Sequence, residues 1–247
     1  MNEAATAKMK NAKEKIIVPL DVENAVEARR IIEEIGNEVG AFKIGLQLFT
    51  SAGASFVREM VESGIKIFLD VKFHDIPNTV AKASIEVARL GVWMFNLHAV
   101  GGSEMMRRTV EEVSEFCERE KIEKPKIIAV TVLTSSNQET LNETGIAGNV
   151  NEQVLNLAKL TAKCGLDGVV ASPLETELIR KNVENLDFLI VTPGIRPSFA
   201  TNDDQKRVMT PKEAVLSGSD YLVIGRPITG AEDKIAAVKR ILAEIEE

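Results

Sequence analysis

The chain has 247 residues, 45% hydrophobic and 27% charged, the balance of an ordinary globule with ample core. Its 30 Lys and Arg against 37 Asp and Glu leave a formal net charge of −7, and with no basic stripe this excludes a nucleic-acid footprint. No apolar run approaches the roughly 20 residues of a membrane-spanning helix, and the lead-in "MNEAATAKMKNAKEK" lacks the apolar segment of a secretory signal. Cys117 and Cys164 stand far apart without metal-like spacing, so the expected location is a reducing cytoplasm. Residues 1–14 are expected to be a flexible extension, and 15–247 one catalytic domain.

Short β-branched runs alternate with longer amphipathic segments along that domain. "KIIVPLDV" (15–22) precedes the helical pattern "NAVEARRIIEEIG" (24–36), whose Ala28, Ile31, Ile32 and Ile35 make one stripe. "AFKIG" (41–45) and "IKIFLDVK" (65–72) follow, then the helix "TVAKASIEVARLG" (79–91). "VWMFNLH" (92–98) leads into "SEMMRRTVEEVSEFCERE" (103–120). "KIIAVTV" (126–132), "DGVVAS" (167–172), "DFLIVTPG" (187–194) and "YLVIG" (221–225) complete the strands, and "ITGAEDKIAAVKRILAEIEE" (228–247) reads as one closing helix.

Eight apolar strands, each followed by a helix, predict a parallel sheet closed into a (β/α)₈ barrel. No Gly-x-Gly-x-x-Gly turn follows the first strand, which weakens a dinucleotide-binding alternative. Pro19, inside the first strand, lacks the N–H a sheet ladder needs and marks a local irregularity.

Polar residues gather at the strand ends: Asp21, Lys43, Asp70 with Lys72, His98, Thr131 with Thr134, Thr192 with Gly194, and Gly225 with Arg226. In a barrel these ends share one face, the one that carries active sites. Asp70 and Lys72 are two apart and should point into the barrel together. With Lys43 from the neighbouring strand and Asp75 beyond, they make an alternating Lys–Asp–Lys–Asp row. A fixed ammonium beside a carboxylate is a poor Schiff-base nucleophile, but a good proton donor to developing negative charge. The span from Gly194 to Thr210 is long for a strand-to-helix connection, and Arg196, Gln205, Gly225 and Arg226 around it suit an anion such as phosphate.

The motifs "LDV" (20–22), "FKIG" (42–45), "DVKFHDIPNT" (70–79), "TVLTS" (131–135), "VTPGIRP" (191–197) and "VIGRPIT" (223–229) resemble the bacterial type of the orotidine 5′-phosphate decarboxylase family. The resemblance implies decarboxylation of orotidine 5′-monophosphate to UMP without cofactor or metal, by a homodimer. It implies that Lys72 protonates C6, that Asp70 lies against the departing carboxylate, and that Lys43 and Asp21 hold the ribose hydroxyls. Asp75, Ile76 and Thr79 would enter the partner subunit's site, Thr134 would touch the pyrimidine, and Arg196, Gln205, Gly225 and Arg226 would hold the phosphate. The rival readings are a magnesium-dependent sugar-phosphate decarboxylase or synthase of the same suprafamily, where Lys43 would repel the metal, and a non-catalytic phosphometabolite-binding barrel.

Overall fold

The structure, a computed structural model, describes residues 12–200 and 209–246. Eight strands pair in parallel in chain order: β1 (Ile16–Pro19), β2 (Ala41–Gly45), β3 (Ile67–Phe73), β4 (Met94–His98), β5 (Lys126–Val130), β6 (Gly168–Val170), β7 (Leu189–Thr192) and β8 (Tyr221–Val223). β8 pairs back onto β1, so the expected barrel closes. The helices between strands are α1 (Ala25–Ile35), α2 (Leu46–Glu62), α3 (Pro77–Arg89), α4 (Gly102–Glu120), α5 (Gln138–Glu143), α6 (Val150–Lys163), α7 (Thr176–Asn182) and α8 (Pro211–Leu216). α9 (Arg226–Thr229) and α10 (Lys234–Glu246) follow β8. The single closing helix expected over 228–247 is thus two, because the chain turns at Gly230 and restarts where Asp233 accepts from the Ala236 N–H.

Strand alternation divides the apolar residues into two shells. Ile17, Ala41, Phe68, Met94, Ile128, Val191, Tyr221 and Val223 fill the barrel interior. Their neighbours Val18, Phe42, Ile44, Leu69, Phe95, Leu97, Ile127 and Ala129 face outward onto the helices. Both faces are buried, which is why the strands read as continuous apolar runs. Each Val, Leu, Ile, Phe or Met among them contributes about 1.5–3 kcal/mol through burial. The stripe on α1 is buried as its spacing predicts, and Asn24 caps that helix by accepting from the Val26 and Glu27 N–H groups, both at 3.0 Å.

Two aspartates serve the same purpose at the bottom of the barrel. Asp167 Oδ2 accepts from the Ile127 N–H at 2.7 Å, and Asp220 Oδ2 from the Ile190 N–H at 2.8 Å. Each tethers the start of its own strand to the preceding one. Pro19 is tolerated for a geometric reason. The Leu20 N–H donates to Lys43 O, so the nitrogen of Pro19 faces β8, whose pairing with β1 stops at Ile17 and Val223.

Of the expected extension, residues 12–14 belong to a 3₁₀ turn, Ala12–Lys15, with Ala12 buried and Glu14 paired to Lys66 at 2.9 Å. Residues 1–11 lie outside the described residues.

Candidate active site

The charged motif sits on a strand that departs from regular register. Leu69 pairs with Phe95 and Phe73 with Leu97, so three residues of β3 stand opposite Asn96 alone. This bulge keeps Asp70 and Lys72 facing inward while giving Lys72 a φ of +54°, a conformation that costs a non-glycine residue about 1 kcal/mol or more.

Around the bulge the charges pair closely. Lys72 Nζ lies 2.7 Å from Asp70 Oδ1, and Lys43 Nζ lies 3.1 Å from Asp70 Oδ2 and 3.4 Å from Asp21 Oδ1. Asp70 is buried, which alone would raise its pKa, but the ammonium groups of Lys43 and Lys72 and hydrogen bonds from Lys72 and Asn96 hold it below the ordinary carboxylate value. Burial alone would push Lys43 down; Asp70 and Asp21 outweigh it and hold it above the ordinary lysine value. The result is a preorganised row, buried at Lys43 and Asp70, in which one carboxylate serves two ammonium groups.

This row lines a cavity of about 540 Å³ at the C-terminal end of the barrel. The cavity brings together Asp21, Lys43, Asp70, Lys72, Thr134, Arg196, Gly225 and Arg226, all expected at one site. Its floor is apolar, with Phe68, Val130, Val170, Val191 and Val223. A Cβ at Gly225 would come 3.0 Å from the Pro19 ring, tighter than side chains usually pack, so glycine leaves room where the chain leaving β8 passes β1. Arg196 is buried at the root of the long connection, where its N–H donates to Met209 O and pins the two ends together.

Other expected residues fall elsewhere. Asp75, Ile76 and Thr79 do not line the cavity of their own chain; they are exposed at the start of α3, where Asp75 Oδ1 accepts from the Ile76 N–H. Gln205 lies outside the described residues. Thr131, one residue past β5, and Thr192, the last residue of β7, face away from the cavity: Thr131 Oγ1 donates to Val170 O, and Thr192 shares a hydrogen bond with Ser219. Both occupy outward positions of their strands, so a polar strand end is not enough to mark a site residue.

Sequence reasoning passed over Asn96. Its side chain is fully buried in β4, Oδ1 accepts from the Lys72 N–H at 2.9 Å, and Nδ2 donates to Asp70 Oδ1 at 2.6 Å. The available signal was an amide in the middle of the apolar run "VWMFNLH". His98 and His74 lie together near the same bulge, ring centres 5.6 Å apart and planes tilted by 44°. Among the described residues, no group of three or more His, Cys, Asp or Glu is arranged to hold a metal ion.

Fold and site together define a single-domain (β/α)₈ barrel with an ion-paired lysine–aspartate row in its open end. The sequence profile of the orotidine 5′-phosphate decarboxylase / HUMPS family matches residues 14–241, and the chain belongs to that family. It is 54% identical over 234 residues to an orotidine 5′-phosphate decarboxylase of Geotalea daltonii, covering 95% of this chain and 97% of the relative. A Geobacter metallireducens protein of the same name is 55% identical over the same length and the same shares of each chain. The crystal structure of orotidine 5′-phosphate decarboxylase from Lactobacillus acidophilus superposes with a TM-score of 0.82 at 39% identity, covering 94% of this chain and 99% of the other.

Proposed function

We propose that this protein decarboxylates orotidine 5′-monophosphate to UMP and carbon dioxide, the last step of de novo pyrimidine synthesis. The observation that carries the reading is Asp70 bridging Lys43 and Lys72 inside the cavity, in a chain more than half identical to relatives of that name. The C6–carboxylate bond breaks and carbon dioxide leaves, with the electron pair staying on C6. The Lys72 ammonium, already held against Asp70, stabilises that charge and delivers its proton to C6, then regains one from solvent. Asp70 sits against the departing carboxylate.

Lys43 and Asp21 hold the ribose hydroxyls, and Thr134 contacts the pyrimidine. Arg196, Gln205, Gly225 and Arg226 take the phosphate, whose binding energy is realised far from the reacting carbon. The reaction needs no metal or cofactor: the Lys43 ammonium already neutralises Asp70 where a metal-dependent sister enzyme would place a cation. Buried free thiols at Cys117 and Cys164 fit a cytoplasmic setting.

The enzyme works as a homodimer in which Asp75, Ile76 and Thr79 serve the partner's site. Two observations support this. These residues are exposed and lie outside the lining of their own cavity, and Ile76, Val100 and Leu133 expose 66%, 47% and 43% of their surface on three adjacent loops of the same rim.

The test is to mix purified protein with orotidine 5′-monophosphate and a chelator, and follow the pyrimidine absorbance. Turnover is expected. No turnover, or turnover abolished by stripping metal, overturns the reading.

A further inference from the structure

We propose that Asn96 is a positioning residue for the decarboxylation, holding Lys72 and Asp70 in their working geometry through the two ends of a single side-chain amide. The inference rests on the functional reading above and extends it to a residue outside the charged row.

The bulge creates the need. Where Leu69 pairs with Phe95 and Phe73 with Leu97, the intervening residues of β3 lose their regular ladder partners on β4. An unpaired buried N–H is unfavourable, and Lys72 also holds a φ of +54°, which side chains other than glycine avoid unless the surroundings enforce it. Asn96 supplies that enforcement. Its Oδ1 accepts from the Lys72 N–H at 2.9 Å, in place of a backbone carbonyl.

The polarity of the amide then dictates its second contact. A backbone N–H only donates, so Oδ1 faces Lys72 and Nδ2 is turned toward Asp70, where it donates to Oδ1 at 2.6 Å. That oxygen also receives Lys72 Nζ at 2.7 Å. Asn96 therefore closes a ring: Lys72 backbone, amide, Asp70 carboxylate, Lys72 ammonium. The ring fixes both ends of Lys72 relative to the carboxylate. Asn96 is 0% exposed and does not line the cavity, so it acts through Lys72 and Asp70 without touching substrate.

Asp lacks the donor when ionised, and Leu has the volume but neither hydrogen bond. A residue needed only for packing would be replaced by Leu with no change in the chemical step.

The experiment compares wild type, Asn96→Leu and Asn96→Asp. kcat is measured per active site, with sites counted by binding of UMP, so that loss of folded protein does not enter. Asn96→Leu is expected to lower kcat about 100-fold while KM changes little, the scale of a misplacement of about 1 Å at a reacting group. Asn96→Asp, nearly isosteric and chosen in case the Leu variant does not fold, is expected to be impaired wherever its new carboxyl is ionised, an ionisation that burial and the Asp70 carboxylate push to higher pH. It should recover as pH falls, because the acid form of the new side chain has one donor and one acceptor, as the amide does. A kcat per site within about twofold of wild type in folded Asn96→Leu, or an Asn96→Asp whose kcat tracks wild type at every pH, overturns the proposal.

A readout independent of turnover is the crystal structure of a folded variant. Lys72 is expected to leave its positive φ, or Asp70 to rotate away from Lys72; retention of both overturns the proposal. A wild-type protein that does not act on orotidine 5′-monophosphate refutes the functional reading alone, since the structural comparison still decides whether Asn96 holds Lys72 and Asp70.

Discussion

Lys43 Nζ and Asp70 Oδ2 meet at 3.1 Å across the junction of β2 and β3, with only 12% of each side chain exposed. Burial works against the charge on both groups, yet each keeps its ionised form because the other is there. Removing the anion uncovers that burial. Asp70→Asn should lower the Lys43 pKa, leaving only Asp21 at 3.4 Å to oppose desolvation, and should cost about 3 kcal/mol of stability. Lysine-resolved NMR titration and urea unfolding measure the two effects. A Lys43 that titrates as in wild type would show that Asp70 does not set its charge.

Lys72→Ala should abolish nearly all turnover while leaving a folded protein that still binds UMP. The side chain is removed from the rim of the cavity, where Lys72 is only half-buried, so the apolar floor and the shell beneath the helices are untouched. Activity assay, circular dichroism and UMP titration check the three parts. Wild-type-like turnover would rule out Lys72 as the proton donor.

Mixing Lys72→Ala with Asp75→Ala subunits should restore part of the activity, because a heterodimer assembles one site with both native residues. The exposed position of Asp75, outside its own cavity, motivates this. Heterodimer formation is followed by native mass spectrometry in the same sample. Heterodimers that remain as inactive as the parents would place Asp75 in its own subunit's chemistry.

His98 predicts a pH dependence of stability. Burial, followed by the neighbouring His74 and Lys72, holds its imidazole below the ordinary 6.5, against a smaller opposite pull from Asp70. The unfolded chain therefore binds a proton at a pH where the folded chain does not. Stability falls as pH drops below about 6.5 and continues to fall until the folded value is passed. His98→Asn should lose less stability than wild type between about pH 7 and pH 5, by denaturant unfolding at each pH. An equal loss in both proteins would exonerate His98.

Arg180 makes a structural prediction free of the active site. Its Nε donates to Gly218 O at 2.9 Å and Nη1 to Phe188 O, and the guanidinium pairs with Asp220, which also accepts from the Ile190 N–H. Arg180→Ala should cost about 2–3 kcal/mol by leaving these acceptors unpaired at the bottom of β7 and β8. kcat per folded site should be unchanged, since none of these groups lines the cavity. A variant as stable as wild type in urea would show the network to be dispensable.

Much of this protein was legible in one dimension because two of its patterns are local. Apolar runs of strand length alternating with 3.6-residue stripes announce parallel strands under helices, and eight such units leave a closed barrel as the economical solution. A barrel carries its strand ends to one face, so the clustering of Asp21, Lys43, Asp70, Lys72, Thr134, Arg196, Gly225 and Arg226 followed from chain position alone. The residues that misled, Thr131 and Thr192, did so because outward and inward positions at a strand end differ by a single residue.

The sequence by itself determined the order of strands, the apolar shells and the charged set, since each depends on side-chain type at a fixed period. Tertiary structure alone decided how those charges are held. The shift of register between β3 and β4, the positive φ of Lys72 and the amide of Asn96 opposite it are relations between strands 24 or more residues apart. No local period records such a relation, because it exists only once the two strands pack side by side and the buried N–H must find an acceptor. The motif from Asp70 to Asp75 names the chemistry; the neighbouring strand sets its geometry.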